Sequence, residues 1–170
     1  MAFVFLRIGG KNMLAEAGIS TLGVKFGYAE GKLDEKPTAF FQIERVNSIG
    51  GISLSTEQID ASALEDKVSR YVAGRQDTGG TWEVVFNISD QVVSQLNAMI
   101  SEYKALNAET DAMWFTVWSP YMNQAFYVIG QVPETIGMPE VGQNALQTVT
   151  MTFTIEEYKG LDEAVEPQPK

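Results

Sequence analysis

Residues Thr81-Trp82-Glu83-Val84-Val85-Phe86-Asn87-Ile88 place Trp82, Val84, Phe86 and Ile88 on one parity, the pattern of a half-buried strand. The period then changes. Val92, Val93, Leu96, Met99, Ile100, Tyr103 and Leu106 recur at spacings of one, three and four, which gives a single apolar stripe at helical period. Ser89 or Asp90 can open that helix, because either side chain can accept from a free N–H of the first turn. Asn107 stands where such a helix stops. The stretch therefore predicts a strand running into one amphipathic helix over about residues 89–107, and such a helix needs a sheet to lie against.

Downstream, Met113 to Ser119 carries large apolar side chains on both parities: Met113, Phe115 and Val117 on one, Trp114 and Trp118 on the other. A strand of that kind is central and covered on both sides. Gln124 to Val132 reads as a strand ended by Pro133, and residues 137–142 as a loop. Ala145 to Glu156 alternates Val149, Met151, Phe153 and Ile155 against Thr148, Thr150, Thr152 and Thr154. Upstream, Leu22–Tyr28 and Phe40–Val46 read as strands, with a polar turn over residues 31–37 and another over residues 47–51. Ile52 to Asp60 changes parity between Leu54 and Ile59, which calls for a bulge or twist near Thr56. About six to eight strands with one inserted helix make a mainly β chain, an antiparallel β-sandwich or barrel with a flanking helix. The expected organisation is an N-terminal arm (1–20), one β domain (21–158) and an acidic C-terminal arm or disordered tail (159–170).

Composition removes many functions. The chain has 170 residues with no Cys and no His. Disulfide frameworks, Cys/His metal sites and nucleophile–His pairs are thereby excluded. Gly9-Gly10-Lys11 lacks the remaining glycine and the Ser/Thr of a phosphate loop. Glu156 and Glu157 are adjacent on a strand and point to opposite faces, so they cannot act as a pair. Asp60, Glu65, Asp66 and Asp77 could gather at a cation, but their spacing is not that of a calcium loop. The expectation is a chain without catalytic residues, cofactor or metal. No apolar run is long enough to cross a bilayer, and Met1–Leu6 is apolar but too short for a secretory core. A soluble chain made in the cytoplasm is expected.

The net charge of −10 argues against phosphate binding as a main task. From Ala105 to Tyr158 there is no Lys or Arg, whereas Glu109, Asp111, Glu134, Glu140, Glu156 and Glu157 are acidic.

Residues 61–80 fit no simple element and are long for a structureless connection. Leu64, Val68, Tyr71 and Val72 have helical spacing, and Ser62 and Glu65 stand at capping-box spacing. A short amphipathic helix is the expectation, its apolar side chains either returning to the domain's own sheet or meeting a neighbouring subunit.

This segment carries a resemblance. The run Ile59-Asp60-Ala61-Ser62, Leu64-Glu65-Asp66, Tyr71-Val72-Ala73-Gly74, Asp77-Thr78-Gly79-Gly80 and Trp82-Glu83-Val84-Val85-Phe86 resembles the major tail tube proteins of long-tailed (siphovirus-type) bacteriophages. It covers about residues 40–156 and rests on the order of elements more than on any one residue. The resemblance implies a β-sandwich subunit that closes into six-membered rings, which stack into a hollow tail tube within the virion, assembled in the host bacterial cytoplasm. It implies partners too: further copies of the chain, a tape-measure protein, tail terminator and distal tail proteins, and double-stranded DNA in transit without specific binding. The long loop would reach a neighbour, which makes Leu64, Val68, Tyr71, Val72 and Asp77 candidate interface residues. The cation-free region is either a solvated acidic surface or, in part, a lining of the lumen, with Thr148, Thr150, Thr152 and Thr154 as its wall. Two alternatives stand beside this. One is the tube of a contractile injection or bacteriocin-like device. The other is a carbohydrate-binding module using Trp114 and Trp118 as a stacking platform.

Overall fold

A computed structural model describes residues 18–170, so residues 1–17 of the expected N-terminal arm lie outside the described residues. In chain order the elements are β1 (Lys25–Lys32), β2 (Phe41–Ile43), β3 (Val46–Ile49), β4 (Ser55–Asp60), β5 (Tyr71–Asp77), β6 (Thr81–Asn87), α1 (Asp90–Lys104), β7 (Asp111–Trp118), β8 (Gln124–Gln131) and β9 (Thr148–Glu163). All of these strands pair antiparallel. Seven form one sheet in the order β2-β1-β7-β8-β9-β6-β3; β4 and β5 form a second sheet by themselves. The chain is thus mainly β, with a sandwich core and one helix.

The large sheet is rolled into two layers. Strand β9 pairs with β6 over Thr148–Thr154 and with β8 over Thr154–Glu163, so one strand serves both layers. Its pairing with β8 slips at Tyr127/Val128 and at Ile129/Gly130, and each slip bends the strand. At the opposite corner only Glu44 and Arg45 separate β2 from β3. Those two strands are the two edges of the sheet. Arg45 makes the corner with φ 57, a left-handed backbone that a bulky residue seldom adopts. Its carbonyl accepts from Asn87 N–H at 2.8 Å, which pins the corner to the end of β6.

Aromatic side chains fill the space between the layers. Phe26 and Phe115 come from one layer, Trp82, Phe86 and Phe153 from the other, and all are buried. Phe115 and Phe153 lie 4.6 Å apart between ring centroids; Phe26 stacks on Phe115 at 5.8 Å and meets Phe86 edge-on at 5.7 Å. Helix α1 closes this core with Val92, Leu96, Met99 and Ile100. The helix starts where the sequence predicts: Ser89 Oγ accepts from Val92 N–H at 3.2 Å. It ends earlier than expected, at Lys104. Asn107 instead builds the following turn, its carbonyl accepting from Asp111 N–H at 2.8 Å.

A second, smaller core lies on the outer face of β1, β7 and β8, around Ala29, Phe40, Trp114, Tyr127 and Ile129. Strand β7 is therefore covered on both sides, as its two apolar parities require. The C-terminal expectation is corrected here. Residues 159–170 are neither a free arm nor a disordered tail. Lys159–Glu163 completes β9, and Ala164 and Val165 pack on the second core. The apolar face of β8 demands that cover.

Phe26→Ala removes a ring that touches both layers and should cost about 3–5 kcal/mol of unfolding free energy. Ser89→Ala should cost about 1 kcal/mol, because a first-turn N–H loses its acceptor. Denaturant titration of the two variants checks both values.

Candidate assembly surfaces

The segment predicted as a loop with a short helix is a β-hairpin. Strands β4 and β5 pair Ser55 with Asp77, Thr56 with Gln76, Gln58 with Ala73, Ile59 with Val72, and Asp60 with Tyr71. The register shifts between Thr56 and Gln58, where the change of parity from Leu54 to Ile59 requires one. The apparent helical spacing of Leu64, Val68, Tyr71 and Val72 divides between a tip loop and a strand. A short window cannot tell these apart by period alone, and β-branched Val72 favours extended chain.

Side chain–backbone hydrogen bonds shape the tip. Asp60 Oδ1 accepts from Ser62 N–H at 2.9 Å, and Ser62 Oγ accepts from Arg70 N–H at 2.9 Å. Ala61 N–H donates to Arg70 O at 2.9 Å and closes the last rung. Asp66, not Glu65, reaches back: its Oδ2 accepts from Ala63 N–H at 2.9 Å, and its Oδ1 lies 3.5 Å from Arg70 Nε. The expected capping box of Ser62 with Glu65 is thus replaced by a polar staple that holds a turn. With Asp60, Ser62 and Asp66 engaged by the tip's own backbone, the apolar side chains point out. Leu64 is fully exposed and Val68 is 77% exposed. Ile59, Tyr71 and Val72 each keep more than half their surface, and Ile59 and Val72 stand side by side on one hairpin face.

Four of the five interface candidates, Leu64, Val68, Tyr71 and Val72, therefore lie on the hairpin's tip and its adjoining rungs. They do not return to the domain's own sheet. Asp77 lies apart, at the hairpin base, where its Oδ1 accepts from Gly79 N–H at 2.9 Å. Gly79 and Gly80, with φ of 82 and 75, complete that turn into β6, a backbone only glycine adopts cheaply. Ile59 was not among the candidates, although its parity change was the signal. Asp60, Glu65, Asp66 and Asp77 are not drawn together. Asp60 and Asp66 face backbone N–H groups at the tip, and Asp77 is at the base. Among the described residues no group of three or more Asp, Glu, His or Cys could hold a metal.

The threonine candidates occupy the outer face of the first layer, the one formed by β3, β6 and the first half of β9. Thr150, Thr152 and Thr154 are exposed and Thr148 is half-buried. Their cross-strand partners on β6 are Val85, Glu83, Thr81 and Asn87 respectively. The face is hydroxyl-rich, and β3, β6 and the Thr148–Glu156 part of β9 contain no Lys or Arg. This bare face contrasts with the outer face of the second layer, which the chain covers itself. There Trp114 is buried and its Nε1–H donates to Lys32 O at 2.9 Å. The stacking platform proposed for sugars is absent, because Trp114 has no free ring face and Trp118 is half-buried under Lys25. The cover is not the helix, which lies on the other side of β7.

An apolar groove of about 680 Å³ opens beside β3 and is lined by Val46, Ile49, Ile52, Trp82, Phe126 and Tyr158, among others. Among the described residues no Asp, Glu, Lys or Arg lines it. Among the described residues no helix is long and apolar enough to cross a membrane.

The arrangement has a solved counterpart. The fold is one seen in the tail of a GTA particle. That structure, a tail of an empty GTA particle refined with helical and C6 symmetry, superposes with a TM-score of 0.54 at 12% identity, covering 87% of this chain and 100% of that one. A structure of the anti-feeding prophage baseplate, six-fold symmetrised, aligns with a TM-score of 0.46 at 8% identity over 80% of this chain and 90% of that one. No family model and no curated protein sequence matches the chain.

The Asp60 carboxyl is held below its ordinary value of 3.8 by the hydrogen bonds from Ser62. A carboxylate with a depressed folded value stabilises the tip above the ordinary range, and the effect is lost as pH falls through that folded value. As pH falls through that folded value, the amide protection factors of Ser62 and Arg70 should drop before those of Phe115 and Phe153, as followed by hydrogen-exchange NMR.

Proposed function

We infer that the chain is a structural subunit of a tail tube, which self-associates into rings, most simply six-membered, that stack around a channel. The observation that carries this is the β4–β5 hairpin. It forms its own two-stranded sheet, its tip is stapled by hydrogen bonds, and its apolar side chains face outward. An isolated hairpin is marginal in water, so one with exposed Leu64, Val68, Tyr71, Val72 and Ile59 calls for a surface to lie on. A second copy supplies one in every direction that a ring or stack provides, because head-to-tail contacts close into rings or repeat into tubes. Similarity of fold to a protein of a C6-symmetric tail supports the same reading.

The lumen falls to the outer face of the first layer. A channel that conducts double-stranded DNA must not bind it, and cationic side chains are what retain phosphates. The wall of Thr148, Thr150, Thr152 and Thr154, with Glu83 beside Thr152, offers hydroxyl groups to water and no ammonium to phosphate. In this reading the tube is built around a tape-measure protein, ends on terminator and distal tail proteins, and stands in the tail of a long-tailed phage virion. No catalytic role is assigned to any residue.

Negative-stain electron microscopy of the purified chain over a concentration series should show rings or hollow tubes of uniform width. Leu64→Asp with Val68→Asp should abolish them without lowering the unfolding midpoint, since neither side chain is buried in the subunit. Assembly unchanged by that pair would remove the hairpin from the account. Thr150→Lys with Thr152→Lys should leave rings intact and slow or block genome delivery; normal infectivity of that variant would contradict the lumen assignment.

A further inference from the structure

The two edges of the large sheet are treated differently. Among the described residues nothing pairs with the outer side of β3. The outer side of β2 is occupied by the chain's own end. Gln168 N–H donates to Phe40 O at 2.9 Å and Gln42 N–H donates to Gln168 O at 2.8 Å, a single parallel rung. Pro167 is buried, and a Cβ on Gly27 would meet its ring carbons at 2.7 and 2.8 Å. The absence of a side chain at position 27 is what lets the segment lie flat on β1. Farther back, Tyr127 Oη donates to Glu163 O at 2.7 Å and accepts from Val165 N–H at 3.0 Å.

Several features make this cover separable from the fold beneath it. Its charged ties, Glu166 with Lys25 and Lys170 with Glu102, lie at the surface, where ion pairs are weak. Its backbone contributes one rung, against eight paired positions between β1 and β7. Thr116, between Gly27 and Tyr127 in the register and so on the face the segment covers, is fully buried, and its hydroxyl has no partner among the described residues. A buried hydroxyl without a partner costs free energy that water would restore if the cover lifted.

We propose that residues 164–170 are an edge guard, a pseudo-strand that the free subunit wears over β2 and that yields its place to a second copy of the chain during assembly. The proposal rests on the tube reading and adds its regulation. An unguarded edge recruits other strands without control. With the guard seated, the described residues of a free subunit offer β3 and the hairpin, so association through β2 waits until a neighbour, already held, displaces the segment. The second copy is the occupant because the site it would take is a strand edge beside an apolar face. The chain itself carries the complementary feature, a hairpin with exposed strands and apolar tip.

The test compares the full chain with a deletion of residues 164–170, with Glu166→Lys, which sets two ammoniums together at an exposed pair, and with Gly27→Val, which evicts Pro167. Each is followed by sedimentation velocity and electron microscopy over a concentration series, with circular dichroism to establish folding. A site covered nine-tenths of the time weakens apparent association about tenfold. The expected result is that the folded variants associate at about one-tenth of the concentration that the full chain requires. Should the deletion fail to fold, the two point variants decide. Equal onset in the full chain and both folded point variants, with the full chain forming rings, overturns the guard and leaves the tube reading standing. Failure of all four to associate overturns both.

Discussion

Phe26, Phe115 and Phe153 meet between two halves of one sheet, and this contact forces the rest of the molecule into place. The rings can converge only if the sheet is rolled, and the rolling is done by β9, whose first half belongs with β6 and whose second half belongs with β8. Once rolled, the sheet brings β2 and β3 to a common corner that two residues can close. The helix then has a defined opening to fill, and Val92, Leu96, Met99 and Ile100 fill it. Burial of this many aromatic and aliphatic side chains supplies the hydrophobic term that holds the fold together without a disulfide.

A rolled sheet has two outer faces, and the chain treats them unequally. Over β1, β7 and β8 it lays its own C-terminal segment on Gly27 and Tyr127, part of an apolar surface that water would penalise. Over β6 and the first half of β9 it lays none of its described residues, and the face there is rich in threonine with no cation on those strands. The hairpin β4–β5 adds a third kind of surface, polar where it shapes itself and apolar where it faces outward. In the proposed tube, a covered face, a wet face and an unpartnered hairpin are the parts of a subunit that continues into copies of itself, with water on one side.

Much of this was legible in the sequence. The alternation of Trp82, Val84 and Phe86, the stripe from Val92 to Leu106 and the threonine face of β9 all set period against burial, and the structure follows them. Strand β7 shows apolar side chains on both parities, and both sides are covered. The hairpin was misread for a physical reason. Leu64 and Val68 stand four apart, yet a staple of Asp60, Ser62, Asp66 and Arg70 folds the tip into a turn that leaves both outside. Spacing alone cannot distinguish that from a helical face. The tail was misread because its low apolar content hid two specific fits, Pro167 over the bare backbone of Gly27 and Val165 against Tyr127, which only the rolled sheet creates. What covers Trp114 likewise depends on which side of β7 the helix takes, a tertiary choice that no local pattern encodes.

The central claim is that the β4–β5 hairpin is where one copy of the chain grips another. Hydrogen–deuterium exchange, compared between free subunit and assembled particle, tests it most directly. The account predicts strong new protection across Ser55–Asp60 and Tyr71–Asp77, while Thr150 and Thr152, paired to β6 in both states, change little. Assembled particles in which the hairpin exchanges as fast as in the free subunit would contradict it.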